Sequence, residues 1–147
     1  MSRPTHVDPR GQRFAAAITS VVLALALVLP TSAAVVLLAA QGIVFAIGAS
    51  GHLHRSPYAV AFARLVRPRI GPPAEPEDAR PPRFAQTVGL AFVAVALVGF
   101  VSGADAVGYA ATALALVAAL LNAAVGFCLG CELYLLARRA TASRQPA

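Results

Sequence analysis

The chain has 147 residues, 59% of them apolar and only 12% charged, with a formal net charge of +6 and a pI near 10.7. Roughly 25% charged residues is usual for a soluble domain, so this composition excludes an ordinary water-soluble globule. The positive charge is carried entirely by arginine and flanks apolar blocks, which points to anionic headgroups and away from nucleic acid.

Arg3, Arg10 and Arg13 precede the first apolar block, Phe14–Leu29. With Pro30-Thr31-Ser32-Ala33-Ala34 after it, this region has the outline of a cleavable secretory signal. The stretch is longer than a usual signal core and is echoed later in the chain, so it is read as a retained first span. Ala33–Ser50 forms the second block after an uncharged break. Thr87–Val101 and Ala106–Leu136 form the third and fourth, separated by Ser102-Gly103-Ala104-Asp105. A span needs about 20 apolar residues. The first and third blocks are slightly short, so their polar flanks sit at the interface; the fourth is long enough to tilt or protrude.

Arg55, Arg64, Arg67, Arg69, Arg80 and Arg83 occupy the central polar segment, and Arg138, Arg139 and Arg144 close the chain. Arginine on every second loop is the pattern the positive-inside rule writes for an even number of spans. The expectation is an all-α membrane protein of four transmembrane helices, multi-pass in the bacterial inner (cytoplasmic) membrane, with both termini and the central loop cytoplasmic. The absence of lysine beside abundant Ala, Arg, Gly and Pro suggests a GC-rich bacterial genome.

An internal repeat sets the expected organisation. Asp8-Pro9-Arg10-Gly11-Gln12-Arg13-Phe14-Ala15 recurs as Asp78-Ala79-Arg80-Pro81-Pro82-Arg83-Phe84-Ala85, each copy directly before a span. Phe45-Ala46-Ile47-Gly48 aligns weakly with Phe127-Cys128-Leu129-Gly130. A single membrane domain, 1–147, is therefore divided into a first two-span hairpin (8–55), a central connector (56–77), a second hairpin (78–138) and a tail (139–147), with parallel repeats about the membrane normal. Within the connector, Ser56-Pro57 is a helix start. Tyr58, Phe62, Leu65 and Val66 then fall on one side, as in a short amphipathic interfacial helix in the cytoplasmic loop. From Pro68 to Pro82 the proline content predicts an extended, stiff strap.

One group of residues has chemical potential: Gly126-Phe127-Cys128-Leu129-Gly130-Cys131-Glu132, expected on the fourth span and holding the chain's two cysteines. Cys128 and Cys131, three apart on a helix, share a face, and Arg138 sets them just inside the cytoplasmic boundary. Three readings are open. In a reducing compartment a Cys-x-x-Cys is more often catalytic or metal-binding than a permanent bridge, and Cys131, nearer the interface, is the expected attacking thiol. Alternatively the cysteines only pack, beside a Gly126-x-x-x-Gly130 helix contact, in a non-enzymatic scaffold or small permease. A third reading adds His52 and His54 to complete a zinc site. Glu132 inside a span is a functional candidate by default, weighed against snorkelling to the interface. Gln41 and Asn122, placed near the middle of spans two and four, are expected to bond between helices. No cofactor motif is visible.

The run Arg64-Leu65-Val66-Arg67-Pro68-Arg69-Ile70-Gly71-Pro72-Pro73, with Glu77-Asp78-Ala79-Arg80-Pro81-Pro82-Arg83-Phe84-Ala85-Gln86 and Gly126–Glu132, resembles a bacterial integral-membrane family. It is the family labelled domain of unknown function 4395, common in actinobacteria, and the likeness extends from about Val7 to Arg138. Members often sit beside thioredoxin-like and sulfurtransferase genes. The resemblance thus implies thiol-disulfide or sulfur handling at Cys128 and Cys131, with the lipid bilayer and such a protein as partners.

Overall fold

A computed structural model of the chain describes residues 5–143; Arg3 and Arg144, counted in the arginine pattern, lie outside them. Four long helices form a bundle: α1 (Pro9–Val28), α2 (Thr31–Ala49), α5 (Arg80–Val101) and α6 (Asp105–Val125). All four are long and apolar enough to cross a membrane. Only 17 to 33% of each apolar window is buried inside the chain, so the remaining apolar surface, including Val28, Val36, Val98 and Val125, requires lipid around it. Each helix gives a narrow stripe of small side chains to the centre. Ala26, Ala34, Ala96, Ala111 and Ala115 meet Leu23, Leu38, Phe45, Val93 and Phe100 there. Such small residues allow close backbone approach where packing, and not water exclusion, holds helices together. At Gly99 a Cβ would lie 2.6 Å from Gly108 N, so α5 and α6 touch by backbone.

The spans are joined tightly at one end, by Leu29-Pro30 between α1 and α2 and by Ser102-Gly103-Ala104 between α5 and α6. Arginine gathers at the other end, where the two octapeptides adopt matching local geometry. Asp8 Oδ1 accepts the Arg10 backbone N–H at 3.0 Å and Asp78 Oδ1 that of Arg80 at 2.8 Å, and each carboxylate also pairs with the guanidinium two residues on. Alongside, a short antiparallel ladder pairs β1 (His6–Val7) with β2 (Glu77–Asp78), in the register His6 to Asp78 and Val7 to Glu77. The second arginine of each motif crosses to another helix. Arg13 Nη2 donates to Ala123 O at 3.2 Å and Ala124 O at 3.0 Å at the end of α6. Arg83 Nε donates to Ala49 O at 2.8 Å at the end of α2. These last-turn carbonyls lack intrahelical donors, and a cation there also opposes the helix dipole.

The central segment departs from the sequence expectation in its second half. Helix starts at Pro57 as predicted, although the Ser56 side chain makes no capping bond. It continues as α3 (Pro57–Ala61), one π-helical turn (Phe62–Val66) and α4 (Arg67–Ile70), passing through Pro68 where an extended strap was expected. Proline supplies no N–H and crowds the carbonyl four residues earlier. The wider π turn just before it, with Arg67 N–H bonding to Phe62 O, relieves that crowding while the helix goes on. Pro81 and Pro82 likewise enter the first turn of α5, where a missing N–H costs nothing.

This α3–α4 segment runs antiparallel to α1. Phe62 is buried, 5.7 Å from the Phe14 ring, and Arg10 Nη2 donates to Gly71 O at 2.9 Å. Tyr58 OH donates to Gln41 Oε1 at 2.7 Å, and Gln41 Nε2 donates to Thr19 Oγ1 at 3.3 Å, which ties α3, α2 and α1 together. Burial pushes the Tyr58 phenol pKa up, so it remains a neutral donor.

Candidate functional site

The fourth block is two helices. α6 ends at Val125, and Gly126 adopts φ +73°, the left-handed geometry glycine takes at a helix C-terminus. Gly126 N–H closes on Asn122 O at 3.0 Å and Phe127 N–H on Leu121 O at 3.3 Å. A new helix, α7 (Leu129–Ala142), then begins. Cys128 and Cys131 therefore lie beyond the fourth span, at the start of α7. This also overturns the match of Phe45–Gly48, inside α2, with Phe127–Gly130, outside α6. Asn122 falls in the last turn of α6, far from the mid-span place held by Gln41.

Cys128 is the N-cap of α7, and its Sγ accepts the Cys131 backbone N–H at 3.3 Å. The two sulfurs lie at disulfide-bonding distance, with Cα atoms 5.2 Å apart, within the range a disulfide requires. Both residues are half-buried. Around them Phe127, Leu129 and Leu133 are exposed, so the sulfur pair sits at the edge of an apolar surface.

The helix that carries the pair is seated by its neighbours. Gly130 lies so close to α5 that a Cβ would be 2.6 Å from Ala85 Cα. One turn further, the Tyr134 ring stands 5.8 Å from Phe84. α7 thus runs antiparallel along the first turns of α5, as α3–α4 does along α1. Cys128 and Ser56 stand at the N-cap of corresponding helices, and Tyr134 and Phe62, each six residues after its cap, meet Phe84 and Phe14 in tilted ring contacts. Gly126 has Arg13 as its neighbour: a Cβ there would be 3.6 Å from Arg13 Cδ, an ordinary van der Waals distance. The Gly126-x-x-x-Gly130 pair is consequently a helix cap and an α7–α5 contact, and not one seam on one span.

Glu132 is exposed in the first turn of α7, outside the four spans, and its backbone N–H donates to Cys128 O at 3.0 Å. A carboxylate there complements the helix N-terminus, so an intramembrane location no longer argues for a proton-handling role. His52 lies after α2, its Nδ1 3.0 Å from Ser50 Oγ, with the His54 ring 6.3 Å away. Among the described residues no group of three or more His, Cys, Asp or Glu side chains is brought together. The histidines are thus not gathered with the cysteines in the structure as it stands.

Sequence reasoning missed the helix break and the Arg13 contact. The signal for the first was present, because Ala106–Leu136 exceeds the length one span needs and contains a glycine where a C-terminal cap belongs.

Comparison with curated proteins and with solved structures gives no match. A family model does match, over residues 7–139. With nearly its whole length covered, the chain belongs to the family described as a domain of unknown function, DUF4395.

Proposed function

We propose that this is a membrane thiol-disulfide component in which Cys128 and Cys131 cycle between dithiol and disulfide. The arginine-bearing end faces the cytoplasm of a bacterial cell, with both termini and the α3–α4 segment on that side of the inner membrane. The two halves, each with two spans and one interfacial helix, descend from one repeated unit; the second half carries the sulfur pair where the first has Ser56 and Ala59.

The observation that carries the reading is the place of Cys128 at the N-cap of α7. There its sulfur meets a backbone N–H, at 3.3 Å, and the positive end of the helix dipole. Both stabilise a thiolate, the reactive form of cysteine. Cys131, inside the first turn, is the resolving partner, which reverses the order expected from nearness to the interface. A thioredoxin-like dithiol from the cytoplasm is the exchange partner. Its thiolate attacks Cys128 Sγ, the Cys128–Cys131 bond breaks, and Cys131 leaves as a thiolate that takes up a proton. The partner's second thiolate then attacks its own sulfur in the mixed disulfide, and Cys128 leaves as a thiolate. Two electrons have then passed to this chain, with one proton held on Cys131 and Cys128 left as the thiolate, and the reverse sequence returns them.

The test is a maleimide gel shift on rapidly acid-quenched cells, with and without oxidant. Both redox states should be trapped, in proportions that follow the oxidant. Thiols that stay reduced under every regime would remove the proposal in favour of cysteines that only pack.

A further inference from the structure

Arg13 is separated from the cysteines by almost the whole chain, yet its side chain ends at the turn that leads into them. Its Nη2 donates to Ala123 O and Ala124 O, and its stem passes Gly126, where an added Cβ would be 3.6 Å from Arg13 Cδ. Cys128 is two residues beyond Gly126, at most about 7 Å of extended chain. Without Arg13, the negative end of the α6 dipole would stand uncompensated near Cys128, the residue at which the positive end of α7 begins. The two fields would oppose each other at the sulfur.

We propose that Arg13 is a positioning residue for the Cys128–Cys131 pair: by capping α6 it fixes the Gly126 turn and cancels the carbonyl charge that would otherwise oppose a Cys128 thiolate. The proposal rests on the reading of Cys128 as the attacking thiol. The other charged or titratable groups around the site are accounted for. On α7, Glu132 is in the first turn, Tyr134 faces Phe84 and Arg80, and Arg138 and Arg139 are toward the far end. On α5, Arg80 is paired with Asp78, and Arg83 is directed to Ala49 O. α6 carries Asp105 and Tyr109, both near its opposite end, and at the start of α1 Arg10 is paired with Asp8.

The molecule supplies its own control. Arg83 makes the corresponding cap on α2, whose chain leads to the Ser56 N-cap and no sulfur. Full-length protein would be purified as Cys131→Ser, so that Cys128 alone reports, and alkylated with iodoacetamide across a pH series. Arg13→Gln should slow alkylation at pH 7 by about fivefold, the scale of a helix-end charge effect, and move the pH profile upward. Arg13→Lys, which keeps the charge, should hold the profile near its starting place. Arg83→Gln should leave it unmoved, although it removes a comparable cap and lowers thermal stability by a similar amount. Equal shifts in Arg13→Gln and Arg83→Gln, or none in either, would overturn the role of Arg13. Because purified protein is used, that failure is distinct from failure to trap two redox states in cells.

Discussion

Gly130 gives the sharpest mechanical prediction, because a single methyl group there tests whether α7 is docked on α5. A Cβ at this position would stand 2.6 Å from Ala85 Cα and 2.7 Å from Ala85 Cβ, well inside the roughly 3.5–4.0 Å of a carbon–carbon contact. The atoms it meets belong to a helix held in the bundle, so α7 must withdraw. Overpacking of this kind costs about 1–3 kcal/mol. Alanine is a better helix former than glycine by about 1 kcal/mol, but that gain is the same for docked and undocked α7 and cancels from the docking equilibrium. Gly130→Ala should therefore raise the undocked fraction by roughly 5- to 150-fold, at about 1.4 kcal/mol per tenfold. A helix of 14 residues is marginal once released. Amide hydrogen exchange over residues 129–142 also requires the released helix to open, which alanine disfavours by about fivefold, so it should accelerate several-fold, to about 30-fold at most, while α1, α2 and the centre of α5 keep their protection. Unchanged protection in α7, or equal loss throughout the bundle, would refute the docked geometry.

Further outcomes follow from the polar contacts. Tyr58→Phe removes the donor to Gln41, a residue only 1% exposed. An unmade buried hydrogen bond costs about 1–3 kcal/mol, lowered toward about 0.6 kcal/mol by competition within a membrane. Denaturant unfolding should show a loss in that range, with strong non-additivity when Gln41→Leu is combined with it. Asp78 has its carboxyl pKa held down to about 2 by side-chain and backbone hydrogen bonds from Arg80, against 3.8 in the unfolded chain. A depressed folded pKa means the contact stabilises fully above pH 3.8 and is lost as pH falls through about 2. The Arg80 amide resonance should hold steady from neutral pH to about 4 and move only below it, and Asp78→Asn should abolish the movement.

The four spans were legible because length, composition and arginine placement are global properties that no local detail can hide. The likeness of the two octapeptides was visible as well, and Asp8 with Arg10 and Asp78 with Arg80 make the same pair of bonds, although Asp8 is the N-cap of α1 and Asp78 stands one residue before that of α5. What escaped was local geometry set by single residues. Apolar residues continue from Val125 through Leu136, so hydropathy runs smoothly across the left-handed turn at Gly126 that separates α6 from α7. Pro68 reads as a breaker, but next to a π turn it only adjusts the helix. The crossings of Arg13 to α6 and Arg83 to α2 link residues distant in the chain, and periodicity carries no information about such pairs. The cysteines were identified by residue type and spacing; their place at a helix start, with Cys128 at the N-cap and Cys131 inside the first turn, was visible only in three dimensions.

The proposed dithiol opens to the arginine-rich side of the membrane, and the native chain carries its own probe because it has two cysteines. Intact cells and inverted membrane vesicles would be reduced and then exposed to a membrane-impermeant maleimide. Rapid labelling in inverted vesicles, with protection in intact cells, is the predicted result. Labelling from outside intact cells, or no labelling from either side after reduction, would contradict the account.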